Sequence, residues 1–224
     1  MGGEADIHTF VFADLAGYTA LTEAHGDEHA ADAAAEFCDA VRMLLPEHDA
    51  EEVKAIGDAL LLRASDAARA AGLAERIVSG YGSRHRGLGV CVGMHTGTAV
   101  RRGDDWFGSA VNVASRVAEA ARAGEVLCTE ATRAAIGPAV LVRDRGQRRF
   151  KNLPKPVALY ELVLARRSRA ELRIDPVCRM VIDPGRAAAR RVHGEVEYVF
   201  CSDRCALDFD QDPADYADQA ENRP

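Results

Sequence analysis

The twelve residues 51–62, EEVKAIGDALLL, decide the fold because they contain two predicted strands joined by a two-residue turn. Gly57 and Asp58 stand at the tip, and such a pair between strand-forming residues is typical of a tight β-hairpin. The apolar stretch IHTFVFAD (7–14) precedes the hairpin, and the stretch LGVCVGMHTG (88–97) follows it. Both stretches read as strands, so the hairpin is predicted to lie in the middle of a sheet.

Helical patterns separate these strands. From Asp27 to Leu44 apolar residues recur at helical spacing, and Pro46 follows just beyond the end. A second, alanine-rich helix is predicted from near Ser65. Strands that alternate with helices around one hairpin predict an α+β fold, ferredoxin-like with the order βαββαβ. The remaining predicted elements are a helix in DDWFGSAVNVASR (104–116) and strands in GEVLCTE (124–130) and PVALYELVLA (156–165).

The composition changes after residue 165. The charged segment RRSRAELR (166–173) contains few apolar residues, so it is predicted to link a large domain, 1–165, to a small one, 174–217. The small domain holds three of the six cysteines and three Asp-Pro dipeptides. Residues 218–224 are predicted to form a frayed tail.

The overall charge limits the classes of partner. The chain has 224 residues with 35 acidic and 28 basic side chains, a net charge of −7, which argues against a general nucleic-acid binder. No apolar run approaches the ~18 residues that span a bilayer, and MGGEADIHTF (1–10) lacks the features of a secretory leader. We therefore predict a cytoplasmic protein with no membrane or nucleic-acid partner and with reduced cysteines.

Two aspartates are candidate metal ligands by their positions. Asp14 ends the first predicted strand, before a glycine-containing turn, and Asp58 lies at the hairpin tip. If the two strands are neighbours, the carboxylates converge, and carboxylate oxygens are the ligands that Mg²⁺ and Mn²⁺ prefer. The alternative is that Asp14 only caps a helix and Asp58 only stabilises a turn.

Asn112 and Arg116 are four residues apart in the predicted third helix, for which Ser109 is the expected N-cap. They therefore share one helix face. An amide and a guanidinium on one face could bind an anionic ligand together. The alternative is a solvated polar stripe on an amphipathic helix.

Five motifs in this order resemble the catalytic domain of class III adenylate/guanylate cyclases over about residues 7–163. They are FVFADLAGYTALTE, VKAIGDALLL, GMHTG, DDWFGSAVNVASR and FKNLPKPVALYEL. The resemblance implies that Asp14 and Asp58 bind two Mg²⁺ or Mn²⁺ ions. Leu15 is included with them as a metal-binding residue. It implies that Lys54 and Asp105 read the adenine base. Asn112 would position the ribose and Arg116 would stabilise the transition state.

The same resemblance implies ATP as substrate and a homodimer as the active form. In this family the metal-binding aspartates and the base-reading pair of one site come from different copies, and this chain carries both sets. A lysine donor and an aspartate acceptor match N1 and N6 of adenine, whereas guanine reverses these two groups. The segment between GMHTG and DDWFG lacks the arm that vertebrate-type members insert, which leaves the strength of the dimer open.

The cysteines of the small domain follow a metal-ligand pattern. Cys201 and Cys205 are four apart and are predicted to share a helix face, while Cys178 lies in a turn. Three thiolates suit a soft metal, Zn²⁺ or Cu⁺. The segment resembles the YHS domain, with spacing similar to that of TRASH metal-binding domains. His193 is a candidate fourth ligand, a metal site at His25 and His29 is disfavoured, and buried cysteines without a metal remain the alternative.

These observations predict an adenylate cyclase that converts ATP to 3′,5′-cyclic AMP and pyrophosphate, with regulation through the metal or redox state of the cysteine domain. Two alternatives remain open. One is a catalytically silent dimer that binds nucleotide. The other is a metal sensor or carrier that uses the larger domain to dimerise.

Overall fold

The computed structural model describes residues 7–84, 89–164, 173–178, 180–182 and 184–216. The first seven elements are β1 (Ile7–Leu15), α1 (Tyr18–His25), α2 (Asp27–Arg42), β2 (Ala50–Ile56), β3 (Ala59–Ala64), α3 (Ala67–Arg84) and β4 (Val90–Thr98). The next seven are β5 (Val100–Arg102), β6 (Asp105–Phe107), α4 (Ser109–Ala118), β7 (Val126–Thr129), α5 (Glu130–Ile136), β8 (Val142–Arg148) and β9 (Val157–Leu162). The C-terminal region contains β10 (Arg173–Ile174), β11 (Val181–Ile182), β12 (Ala189–His193), β13 (Val196–Phe200) and α6 (Asp203–Gln211).

The main sheet has the strand order β2-β3-β1-β4-β7-β9-β8. Its first four strands are antiparallel neighbours, and the helical connections β1-α1-α2-β2 and β3-α3-β4 complete the βαββαβ arrangement. The predicted fold class is therefore confirmed, with the small cysteine-containing region at the C-terminus. The strands β7, β9 and β8 extend the sheet beyond the ferredoxin-like core, and β7 joins it parallel to β4.

Alternation along β1 divides the core between the two faces of the sheet. Phe10 and Phe12 belong to the cluster that packs under α4. Val11 and Ala13 belong to the larger cluster that includes α2 and α3. By the same alternation, the side chain of Asp14 lies on the α4 face of the sheet, together with those of Phe10 and Phe12.

The predicted start of the third helix is wrong by one residue. Ser109 is the first helical residue rather than the cap, Gly108 holds the cap position, and no side chain caps α4 there. The DDWFG segment is not only a turn, because Asp105–Phe107 form β6 and pair with β5. Three-residue strands are too short to produce a recognisable alternation in the sequence.

The domain limits remain a prediction. Residues 166–172 of the predicted linker and the predicted tail lie outside the described residues, whereas Arg173 already begins β10. Among the described helices, none has both the length and the apolar character that a bilayer crossing needs.

Candidate active site

The two candidate metal aspartates lie side by side. Asp14 is opposite Ala59 in the β1/β3 pairing, so Asp58, which precedes Ala59, is next to it at the hairpin tip. Burial and the carboxylate of Asp58 raise the pKa of Asp14 from its ordinary value to about 7. Burial also raises the pKa of Asp58. Two half-buried carboxylates in contact form a negatively charged oxygen cluster, which fits a hard divalent cation.

Leu15 differs from the two aspartates. Its side chain is buried in the core that β1 shares with α2 and α3, so only its backbone atoms could face a ligand. The backbone N–H of Leu15 donates a hydrogen bond to the carboxylate of Asp14. Leu15 therefore helps to position Asp14.

Lys54 and Asp105 form an ion pair between β2 and β6. The distance from Lys54 Nζ to Asp105 Oδ2 is 2.6 Å, and 42% and 31% of the two side chains are exposed. The backbone N–H of Trp106 donates to the other carboxylate oxygen at 2.8 Å. These hydrogen bonds, from Lys54 first, lower the pKa of Asp105. The pair presents a cationic donor and an anionic acceptor together.

Trp106 anchors the β5-β6 hairpin on which Asp105 lies, a role that the sequence analysis missed. Its ring lies edge-on to Phe10 of β1 at 5.9 Å between centroids, and the guanidinium of Arg63 lies 5.2 Å from its centroid. These contacts connect the hairpin to the centre of the sheet. A single tryptophan in an otherwise polar segment is the available sequence signal, because its large ring needs an apolar surface to pack against.

Asn112 and Arg116 both lie on α4, one turn apart, as predicted. Asn112 is exposed. The guanidinium of Arg116 donates to the carboxylate of Glu119, the C-cap residue of α4, a contact not predicted from the sequence. The Arg116 side chain thus reaches the surface with an acidic partner that an anionic ligand would have to replace.

The cysteines of the C-terminal region converge with a histidine from α1. Ligand atoms of Cys178, Cys201, Cys205 and His25 all lie within 4.8 Å of one another. The predicted fourth ligand, His193, is not in this group; it lies on β12 and contacts the ring of Phe209. The disfavoured residue His25 takes its place, and His29 is outside the group although its ring is 5.4 Å from that of His25.

The predicted shared helix face of the two last cysteines is wrong. Cys201 lies between β13 and α6, and Ser202 caps α6 by accepting a hydrogen bond from the backbone N–H of Cys205. The two sulfurs are nevertheless 3.6 Å apart. Hydrogen bonds from the thiols of Cys178 and Cys201 lower the pKa of Cys205. All six cysteines are free thiols. Core packing is the role expected from the sequence for Cys38, Cys91 and Cys128; Cys38 and Cys128 are buried in the core, whereas Cys91 is only partly buried.

A family model for the adenylate and guanylate cyclase catalytic domain matches residues 3–162, and a YHS domain model matches residues 173–220. The chain belongs to the cyclase catalytic domain family and continues into a YHS domain. Both resemblances inferred from the sequence motifs are confirmed.

Several relatives are known. The pH-sensitive adenylate cyclase MT1302 of Mycobacterium tuberculosis is 37% identical over 131 residues, which are 58% of this chain and 33% of that protein. The crystal structure of the adenylyl cyclase CyaB from P. aeruginosa superposes with a TM-score of 0.66 at 25% identity, covering 75% of this chain and 98% of that one. The guanylate cyclase domain of RhGC from Catenaria anguillulae, in complex with GTP, superposes with a TM-score of 0.65 at 18% identity, covering 73% and 99%. The fold is thus shared with both an adenylyl cyclase and a guanylate cyclase. The chain spans about a third of the length of the mycobacterial relative.

Proposed function

We propose that the protein is an adenylate cyclase that converts ATP to 3′,5′-cyclic AMP and pyrophosphate in a homodimer. The observation that carries the proposal is the Lys54–Asp105 ion pair in a chain whose Asp14 and Asp58 converge. The adenylate cyclases among its relatives support this proposal. Six free cysteines agree with a cytoplasmic location, which is part of the proposal.

The reaction is an internal displacement at phosphorus. The 3′-oxygen of the ribose attacks the α-phosphorus, a new O–P bond forms, the bond to the β-phosphate oxygen breaks, and pyrophosphate leaves. Asp14 and Asp58 would hold Mg²⁺ or Mn²⁺, two ions per site; when bound, such ions favour loss of the 3′-hydroxyl proton and neutralise charge on the phosphates. The chain supplies the paired carboxylates whose negative charge these ions would balance.

Arg116 and Asn112 would act on the rest of the nucleotide. Negative charge grows on the α-phosphate oxygens in the transition state, and a guanidinium there makes its strongest contact at that moment. We propose that Arg116 leaves Glu119 for this contact. Asn112, exposed one turn earlier on α4, would hydrogen-bond the ribose and orient the attacking oxygen.

Base selection follows from the polarity of the ion pair. Lys54 offers a donor for N1 of adenine, and Asp105 offers an acceptor for the amino group at N6. Guanine presents a donor at N1 and an acceptor at O6, so each protein group would face a group of its own kind. We therefore propose ATP rather than GTP as the substrate.

The test is an assay of the purified full chain with ATP and Mn²⁺, followed by chromatographic detection of cyclic AMP. We expect cyclic AMP from the wild type, none from Asp14→Ala, and a normal rate from Asp32→Ala, which changes an exposed aspartate on α2. A product from GTP at the same rate would contradict the base assignment. Equal rates for the wild type and Asp14→Ala would contradict the whole proposal.

The convergence of His25 with three cysteines favours a second candidate function. In that case the protein is primarily a metal sensor that uses the cyclase fold to dimerise, without turnover. Tight metal binding together with no nucleotide affinity would favour this candidate.

A further inference from the structure

We propose that His25 completes a four-coordinate zinc site with Cys178, Cys201 and Cys205, and that this site joins the cyclase domain to the YHS domain. Three ligands belong to the C-terminal region, while His25 is the last residue of α1 in the cyclase domain. A histidine and three cysteines form a closed tetrahedral set, which is typical of structural zinc.

Four of the six distances between the ligand atoms lie within about 0.4 Å of the edges of a zinc tetrahedron, and the other two pairs are within 4.8 Å. With Zn–S of about 2.3 Å and Zn–N of about 2.0 Å, the S···S edges are about 3.8 Å and the N···S edges about 3.5 Å. The sulfur of Cys201 lies 3.4 Å from that of Cys178 and 3.6 Å from that of Cys205. His25 Nε2 lies 3.6 Å from the sulfur of Cys201 and 3.5 Å from that of Cys205. Small side-chain shifts would therefore bring the four ligand atoms to coordinating separations.

The two cysteine-bearing loops are held together by Asp175, which is fully buried. One of its oxygens accepts from the backbone N–H of Val177 at 2.9 Å and that of Cys178 at 3.4 Å. The other oxygen accepts from the backbone N–H of Cys201 at 2.8 Å. A carboxylate that fixes the backbone beside two ligands is the kind of outer support that metal sites use.

The zinc site would fix α1, and α1 begins close to the candidate catalytic metal site. β1 ends at Leu15, directly after Asp14, and α1 starts at Tyr18. Between them, Gly17 lies so close to the YHS domain that a Cβ built on it would be 3.7 Å from the Cα of Met180. Contacts with the YHS domain therefore flank α1 at its start, through Met180, and at its end, through His25.

Zinc occupancy would consequently restrain the segment that follows Asp14. The effect on cyclase rate rests on the function proposed above, whereas zinc binding and domain joining do not. Measuring binding without nucleotide keeps the two proposals separable.

The first experiment titrates the reduced, metal-free full chain with Zn²⁺ in competition with a chromogenic chelator. We expect one zinc per chain in the wild type and in His193→Ala, a matched control on β12. His25→Ala should lose affinity by at least on the order of tenfold, because even loss of an outer partner has that effect. His25→Cys keeps four ligands and should recover most of the zinc affinity. That recovery would show that the protein tolerates a substitution at this position.

The optical spectrum of the Co²⁺-substituted chain reports the ligand set directly. We expect tetrahedral d–d bands in the wild type and a shifted spectrum in His25→Ala. Unchanged zinc affinity and an unchanged cobalt spectrum in His25→Ala would overturn the site.

The second experiment tests the joining of the domains by hydrogen exchange. Zinc should slow exchange in residues 18–25 of the wild type, but not in those of His25→Ala. Protection confined to residues 173–216 in the wild type would overturn the interdomain role. Either result can be obtained from a chain with no cyclase activity, so failure of the proposed function would be seen separately.

Discussion

At the scale of single residues, the base-reading candidates can be tested by removing one donor. Lys54→Met keeps an unbranched apolar stem and removes the ammonium that pairs with Asp105. Loss of a charged hydrogen bond to the base should weaken kcat/KM for ATP by ~2 kcal/mol, on the order of 30-fold. The kcat/KM for GTP should fall less, so the ratio of kcat/KM for ATP to that for GTP should move toward one.

The comparison is made by steady-state kinetics with both nucleotides. Lys155→Met removes an exposed lysine remote in sequence from the candidate site and should leave both rates unchanged. An ATP/GTP ratio that stays at the wild-type value in Lys54→Met would remove Lys54 from base selection.

The paired carboxylates predict a conflict between stability and metal binding. Folding raises the pKa of Asp14 from 3.8 to about 7. Stability is therefore lost as the pH rises from 3.8 to about 7, and above pH 7 the ionised pair destabilises the fold fully. At pH 8 without metal, Asp58→Asn should therefore raise the free energy of unfolding by ~1–2 kcal/mol. The same variant should lose the increase in Tm that Mn²⁺ gives the wild type.

Thermal unfolding with a chelator and with Mn²⁺ measures both effects. Asp32→Asn, an exposed charge removal on α2, is the matched control and should change neither value. A lower Tm for Asp58→Asn in chelator would mean that the carboxylates do not repel each other.

At the scale of elements, the packing of α4 on β4 is set by a glycine. A Cβ on Gly93 would overlap the backbone nitrogen of Ala118, so helix and strand approach too closely for any side chain. Gly93→Ala should push α4 away and lower the free energy of unfolding by ~3 kcal/mol or more. Because α4 carries Asn112 and Arg116, activity should fall as well.

The same substitution elsewhere provides the control. Gly80 lies in α3, and a Cβ there meets nothing within 4 Å. Gly80→Ala should therefore stabilise the protein by ~0.5–1 kcal/mol in chemical denaturation, since alanine restricts the unfolded chain and favours a helix. Equal effects at the two positions would contradict the close packing of α4.

Much of the sheet could be predicted from sequence because its signals are local. The Gly57-Asp58 tip and the strand-forming residues on either side predict β2 and β3 without reference to distant residues. The β5-β6 hairpin could not be predicted, since its strands of three residues depend on Trp106 packing against Phe10. That contact joins segments almost a hundred residues apart.

The candidate sites also combine residues that local sequence signals predict with residues that only distant contacts bring together. The positions of Asp14 and Asp58 at strand ends are visible in the sequence, and so is the spacing of Asn112 and Arg116. The pairing of Arg116 with Glu119 follows helical spacing and could have been inferred. His25 could not, because 176 residues separate it from Cys201 and only the packing of α1 against the YHS domain brings them together.

At the scale of the whole molecule, the proposed homodimer can be tested by mixing two inactive variants. Asp14→Ala removes a proposed metal ligand of one copy, and Arg116→Ala removes a residue that we propose the other copy contributes to the same site, together with Lys54 and Asp105. If each site combines residues of two copies, an equal mixture should recover about a quarter of the wild-type rate, because half of the dimers are mixed and each has one intact site of two.

Activity is measured before and after mixing at equal total protein. Mixing Asp14→Ala with Asp58→Ala is the control, because both changes remove the same half and no intact site can form. If the first mixture is as inactive as the control, the sites do not form between copies.

The hydrophobic interior does not stop at the boundary between the two families. Leu21 of α1 belongs to the same buried cluster as Cys205 and Phe209 of α6, and Tyr18 packs against it. Removing the C-terminal region would therefore remove part of the buried cluster to which Leu21 belongs. An engineer who wished to graft this YHS domain onto another cyclase would have to transplant the matching surface of α1 with it, since the two folds share one interior.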